Sequence, residues 1–265
     1  MSKVLLTGAS GRLGTHLRQW FAAHGRGFVA TDIIQPGDGT CVEIVDLADR
    51  EALDRVMADD ISAVVHFGGM AKESVWQTVL DANIIGTYNV FEAARKAGVG
   101  RVIYASSYHV VGMYPSGEVP LGVDAPVRPD TLYGLSKVFG ENVGRLYADK
   151  FGVGCLAIRI CAANSPNNGR DCRLWCHRDD LARLVDAGLD APDLGYKTVF
   201  AISDNDGAWY RNDDAQTLGW RPQHSSRELG LAYVDDPLDA NDPRHALQGG
   251  AFAIWPHFDD EKLDI

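Results

Sequence analysis

The sequence predicts an α/β protein: a doubly wound parallel sheet covered by helices on both faces, followed by a small C-terminal lobe. Three observations carry that expectation. Short apolar β-type runs alternate with helical patterns through roughly the first 160 residues. A glycine cluster falls directly between the first such run and the first helix. The runs are apolar almost throughout instead of alternating, as strands buried on both faces are.

Taken in order, "KVLLTG" reads as a short buried strand and "GRLGTHLRQWFAAHG" as a helix that opens on glycines. "GFVATD" is a second strand and "TCVEIVDL" a third, before the helical "DREALDRVMADD" and a fourth strand, "ISAVVHFGG". A long helix through "VLDANIIGTYNVFEAARKAG" repeats its apolar positions at three-and-four spacing. "GRVIYASS" is a fifth strand, "TLYGLSKVFGENVGRLYADKFG" a helix and "GVGCLAIRIC" a sixth strand. Strict alternation of this kind implies parallel strands joined by helical crossovers. Afterwards the pattern loosens: "AANSPNNGRDCRLW" is loop-like, "HRDDLARLVDAGLDAP" is helical, and the remainder mixes short elements with Pro and Gly. The expected organisation is a sheet-bearing domain over 1–160 and a small lobe over 161–265 packed on it without a flexible tether. The two are countable as a single domain.

Composition narrows the function classes. The chain has 265 residues, of which 46% are hydrophobic and 23% charged, as in soluble globular proteins. No apolar run approaches the roughly 18 residues of a membrane span. "MSKVLLTGAS" lacks the apolar core and cleavage site of a signal peptide, so a cytoplasmic setting is expected. A net charge of -11 argues against nucleic-acid and anionic-membrane partners. The acidic stretches "YVDDPLDANDPR" and "HFDDEKLDI" read as solvated surface, with salt adaptation the weaker alternative. Five scattered cysteines suit a reducing compartment. Cys172, Cys176 and His177 in "CRLWCH" lack a second ligand cluster, so no metal is expected.

The loop "TGASGRLG" sets Gly8, Gly11 and Gly14 between strand and helix, with Arg12 and Leu13 inside the turn. Glycines there permit a tight turn and close approach of backbone to a pyrophosphate on the helix N-terminus. The spacing is GxxGxxG, and the strand-loop-helix context gives it weight. Asp32 closes the second strand about 20 residues on, where a carboxylate accepts from the adenosine ribose. Its charge repels a 2'-phosphate and neighbouring Ile33 and Ile34 offer no cation, so the expected cofactor is NAD and not NADP. Further contacts are expected where later strands end: Asp46 and Leu47 toward the adenine, and Phe67, Gly68 and Gly69 as small-residue backbone. His66, inside an apolar strand, reads as a satisfied core residue.

Tyr133 and Lys137 in "YGLSK" share a helical face one turn apart. Together with "TGASGRLG", "NIIGTYNV" and "ASS", this motif resembles the extended short-chain dehydrogenase/reductase family, whose fold is a Rossmann-type sheet. The resemblance implies Tyr133 as general acid/base, Lys137 as holder of the nicotinamide ribose, and Ser107 as binder of the reacting oxygen. Ser106 ranks second, because Ser107 lets the following "YHVVG" face the pocket. Asn83 and Ala163 are implied on the cofactor side. Free tyrosine titrates near about 10, and lowering it to about 7 needs roughly 4 kcal/mol. A cation about 4 Å away supplies that order at an effective dielectric of about 20. Lys137 and the positive ring of NAD+ are the expected pair.

"SSYHVVG", "RPDTLYGLSK", "SPNNGR" and "LGWRP" further resemble a compact, uronate-oxidising branch of that family. The resemblance implies oxidation of glucuronate or galacturonate at C1, with Ser107, Tyr108, His109 and Arg170 contacting the sugar acid. Arg170 matches the carboxylate-binding arginine, and Arg173 is the fallback. Tyr108 stands where the branch carries asparagine, and Ala71 and Ala162 stand where it carries serines. Arg170, Arg173, His177 and Arg178 are expected to form a positive mouth for the anion. An epimerase or dehydratase that keeps NAD bound, and a non-catalytic dinucleotide sensor, are the alternatives. A homo-oligomer is expected, built through the helices at 78–98 and 132–151.

Overall fold

The computed structural model describes residues 3–58, 60–233, 237–239 and 241–259. Asp235, Asp236, Asp260, Glu261 and Asp264, part of the two acidic stretches, lie outside the described residues.

Seven parallel strands form one sheet in the order β3-β2-β1-β4-β5-β6-β7. They are β1 (Lys3–Thr7), β2 (Phe28–Asp32), β3 (Glu43–Ile44), β4 (Ile61–His66), β5 (Arg101–Ser107), β6 (Gly154–Ile160) and β7 (Tyr196–Ala201). Side-chain alternation feeds two cores. Leu5, Val64, Val102, Tyr104 and Ala157 face one side, over α2 (Arg50–Met57), α4 (Gly86–Lys96) and α5 (Leu132–Phe151). Leu6, Val65, Ile103, Ile158 and Val199 face the other, over α1 (Arg12–Ala23) and α7 (Arg178–Asp190). The strand order reverses between β1 and β4, and in such sheets the carboxyl edge at that point opens a crevice.

Four details differ from the sequence-based expectation. The third strand shrinks to two residues because it pairs on one side only, with β2. The expected long helix from 79 is broken: α3 (Trp76–Val79) passes into a π-helical turn, Leu80–Ile85, before α4 resumes. The stretch read as loop contains α6 (Gly169–Leu174), capped by the Asn168 side chain, which accepts from the Asp171 amide. β7 falls in the stretch where the sequence pattern shows only mixed short elements. It joins the sheet beside β6, and Thr198, Val199 and Phe200 supply its β-branched and aromatic character.

The last described segment is strapped across the 112–118 loop. The Gln248 amide donates to the Tyr114 carbonyl, the Gly249 amide to Gly112, and the Ser116 amide to Ala246. Gln248 is fully buried, and its side chain donates to the carbonyls of Pro115 and Glu118. This strap carries Phe252 to the crevice. Among the described residues, no helix is long and apolar enough to cross a membrane.

Candidate active site

A cleft of about 920 Å3 runs from the glycine loop to Tyr133, Arg170 and Phe252. At its first end, Gly8 adopts φ +70°, and a Cβ there would stand 2.5 Å from the Phe67 carbonyl. A Cβ on Gly14 would stand 2.0 Å from the Gly8 oxygen. Only glycine lets β1, the post-β4 loop and α1 meet this closely. Gly11 caps α1 in extended conformation, so the first-turn amides of a 12-residue helix open toward the cleft. Gly11, Arg12 and Leu13 line it.

Asp32 sits at the end of β2 and anchors the loop itself. Its Oδ2 accepts from the Ser10 amide at 2.8 Å and its Oδ1 from the Ile33 amide at 2.7 Å. A carboxylate has about four acceptor sites, so capacity remains for ribose hydroxyls. Asp46, Leu47, Phe67, Gly68, Gly69 and Ala163 also line the cleft. Asn83 does not: it is 1% exposed. Its amide accepts from the Met70 N–H and donates to the Met70 carbonyl and to Ser136 Oγ. The π turn brings it inward, so it braces the cleft wall from behind instead of lining it.

At the other end, β5 delivers Ser107 and the first turn of α5 delivers Tyr133. Ser107 hydrogen-bonds the Tyr133 phenol. Ser106 donates its hydroxyl to Glu141 at 2.6 Å, and Glu141 is held by Arg159. The neighbouring serine is thereby committed elsewhere. Lys137 Nζ lies 5.5 Å from the Tyr133 ring centre and 5.2 Å from that of Tyr104. Burial pushes the Tyr133 phenol up to about 12, against the opposing hydrogen bond from Ser107, and burial brings the Lys137 ammonium down to about 8. Burial of the ring therefore dominates at Tyr133, with the Ser107 hydrogen bond opposing it.

His66 is buried, bonded through Nδ1 to Thr7 Oγ1 at 2.8 Å and through Nε2 to Thr87 Oγ1 at 3.3 Å. Burial and the Lys137 charge bring it down to about 3, a neutral structural imidazole. His109 lines the cleft and pairs with Asp130 at 2.6 Å. Its ring stacks on Phe252 at 4.2 Å and lies 5.8 Å from that of Tyr133.

Arg170, from α6, reaches the same wall and is 11% exposed. It donates to the Gln248 carbonyl, hydrogen-bonds the Tyr108 hydroxyl and packs over Trp209. Its Nε is buried without a partner. The fallback, Arg173, instead donates to the Gly169 carbonyl on its own helix. The expected positive mouth does not assemble at this end either. His177 caps α7, and its ring packs tilted against that of His224 with centroids 3.8 Å apart. Arg178 donates to the Ala163 carbonyl, and the Arg12 pKa is lowered by burial and then by the Arg178 charge, so these two cations gather at the glycine-loop end.

Outside the cleft, His177, Asp179 and His224 place ligand-type atoms within 4.8 Å of one another. Asp179 there holds His16 at 2.8 Å and its amide donates to His177 Nδ1, a junction between α1 and α7. Cys172 and Cys176 are buried, and the Cys176 thiol is pushed far up by burial.

Several residues escaped the sequence reading. Phe252 comes from a tail with no periodic signal. Asp130 stands beside the Thr131 helix cap, where "RPDT" reads as an ordinary helix start. Glu73 lies in "KESV", which gives no local sign of its bonds to the first turn of α5.

A glycine loop at a helix N-terminus, a carboxylate ending β2 and a Tyr-Lys-Ser cluster on a parallel sheet define a dinucleotide-dependent enzyme of the short-chain dehydrogenase type. The chain belongs to the NAD dependent epimerase/dehydratase family, whose pattern matches residues 4–175. It is 39% identical to the uronate dehydrogenase of Pseudomonas syringae pv. tomato over 267 residues, 98% of this chain and 96% of the relative. Among solved structures, a glucuronic acid dehydrogenase from Chromohalobacter salexigens matches with a TM-score of 0.90 at 37% identity, covering 98% of this chain and 99% of that one. A mutant uronate dehydrogenase from Agrobacterium tumefaciens complexed with NAD matches with a TM-score of 0.89 at 38% identity, covering 97% of this chain and 99% of that one.

Proposed function

We propose that this protein oxidises C1 of D-glucuronate or D-galacturonate to the aldarolactone, with NAD+ as hydride acceptor. The observation that carries the reading is the placement of Arg170 in the same cleft as Tyr133 and Ser107, with a buried Nε that has no partner. A planar guanidinium suits a carboxylate. The names of relatives spanning nearly the whole chain support the same substrate class.

The glycine loop, the α1 N-terminus and Asp32 fit a pyrophosphate and an adenosine ribose. Bound there, NAD+ would supply the hydride acceptor and a further positive charge. Lys137 would hold the nicotinamide ribose, and its charge favours phenolate. Tyr133 takes the C1 hydroxyl proton as the C1 hydrogen departs as hydride, leaving a C1 carbonyl in the ring. Ser107 donates to the reacting oxygen. His109, fixed by Asp130 and Phe252, and Tyr108, fixed against Arg170, shape the sugar side. From the part of the chain after β6, Arg170 on α6 and Phe252 on the strap serve the substrate side.

We further propose a cytoplasmic homo-oligomer without nucleic-acid or membrane partners. Ile85 and Tyr88 before and within α4, and Leu135 and Leu146 on α5, are large apolar side chains left exposed, which supports contact between copies. The decisive experiment is a spectrophotometric screen of glucuronate, galacturonate, glucose and galactose with NAD+ and NADP+. Accumulation of NADH with the two uronates is expected. Turnover without net NADH points to an epimerase, and no turnover on any sugar removes the enzymatic reading.

A further inference from the structure

Glu73 lies on the loop that follows β4 and is 4% exposed. Its Oε1 accepts from the Leu132 amide at 3.2 Å and its Oε2 from the Tyr133 amide at 2.7 Å. These are two of the first-turn donors that α5 cannot satisfy within itself. The third, Gly134, is served by the Thr131 hydroxyl at 3.0 Å. Glu73 therefore reaches across 60 residues of sequence to grip the peptide that carries the reactive phenol.

The other end of that residue is held as well. The Tyr133 carbonyl accepts from Ser136 Oγ at 2.6 Å, Ser136 Oγ accepts from the Asn83 amide at 2.9 Å, and Asn83 bonds both the amide and the carbonyl of Met70. A closed circuit results: Met70, Asn83, Ser136, Tyr133, Glu73, and back along the loop to Met70. Phe67 to Ala71, in the same loop, line the cofactor side of the cleft. The circuit thus fixes the spacing between that wall and the tyrosine.

We infer that Glu73 is a positioning residue for the reaction, holding Tyr133 at its reacting distance from the cofactor wall through the first two amides of α5. The inference rests on Tyr133 being the acid/base. Displacement of a reacting group by about 1 Å costs on the order of 100-fold in rate, and a buried amide left without its acceptor moves or draws in water. Glu73→Gln keeps an acceptor for only one of the two amides, whereas Glu73→Ala keeps none.

The test uses the full chain carrying Glu73→Gln, Glu73→Ala or Tyr133→Phe, with folding checked by circular dichroism. For Glu73→Gln, kcat falls about 10-fold, and for Glu73→Ala about 100-fold. The Kd for NAD+ stays within about twofold, because the glycine loop is untouched. The primary deuterium effect on kcat with C1-deuterated uronate rises as the chemical step becomes limiting. Should Glu73→Ala fail to fold, the near-isosteric Gln variant carries the test alone. Unchanged kcat and isotope effect in the Glu73 variants, with Tyr133→Phe inactive, would overturn the inference alone. Retained turnover in Tyr133→Phe would instead remove the underlying reading of the tyrosine. A parallel loss of NAD+ affinity and kcat would reduce Glu73 to a general structural role and also overturn it.

Discussion

At the glycine-loop end of the cleft, the walls come from β1, β2, β4 and the start of α1, and backbone does most of the work. Gly8 and Gly14 matter because of what they lack, and Asp32 is tied to the loop it serves. At the tyrosine end, Ser107, Tyr133, Arg170 and Phe252 arrive from four separate stretches, and side chains do the work. At the first end, Gly8 and Gly14 leave no room for an added Cβ. The second depends on charged and aromatic groups held in place by partners from other segments: Glu73 for Tyr133, Asp130 for His109, Gln248 and Tyr108 for Arg170. Recognition of a common cofactor is therefore local, whereas recognition of a particular sugar is a property of tertiary packing.

If the two ends are separable in this way, variants should sort cleanly between them. The largest effect is expected from Tyr133→Phe: turnover falls by about 100- to 10,000-fold, the usual range for a general acid/base. NAD+ affinity by titration calorimetry stays within about twofold, and a joint loss would break the comparison.

Lys137→Met is expected to abolish most activity yet stabilise the fold. The folded-state pKa is lowered from 10.5 to about 8 by burial. The ammonium is thus disfavoured in the folded state below about pH 8, and the cost disappears above about 10.5. Two and a half units correspond to roughly 3 kcal/mol, offset in part by lost contacts with Tyr104 and Tyr133. A gain of about 2 kcal/mol at pH 7 that closes by about pH 10.5 in urea unfolding is expected. A gain independent of pH would assign the effect to packing.

Arg170→Ala should raise KM for the uronate by about 10- to 100-fold, the worth of a charge-assisted bond or two. Any KM for glucose should move far less. Equal shifts for both sugars would exclude the carboxylate contact. The smallest effect belongs to Asp32→Ala: NAD+ affinity falls by about tenfold and the bias against NADP+ relaxes, as one charge-assisted hydrogen bond predicts. A concurrent loss of uronate KM would show that the two ends are coupled after all.

What could be read from the chain follows the same division. Alternating runs and helical periods placed six of the seven strands, and the loop with its acid marked the cofactor end, because tight turns and ribose carboxylates are encoded within about 30 contiguous residues. The motif at Tyr133 and Lys137 was legible for the same reason: one helical turn sets their common face. The ranking of Ser107 over Ser106 came from the face of the following stretch, and packing adds what no local pattern encodes: Ser106 donates to Glu141. That Asn83 supports the wall from behind instead of lining it depends on a π turn, which apolar spacing does not show.

Sequence alone therefore determined the parallel sheet, the glycine loop with its acid, and the shared helical face of Tyr133 and Lys137, all of which rest on local geometry and short-range periodicity. Tertiary structure decided which arginine reaches the cleft, that Phe252 lines it, that Glu73 grips the first amides of α5 from behind it, and that burial raises the tyrosine's pKa. Those outcomes depend on burial and on partners dozens to hundreds of residues away, and no local pattern encodes either.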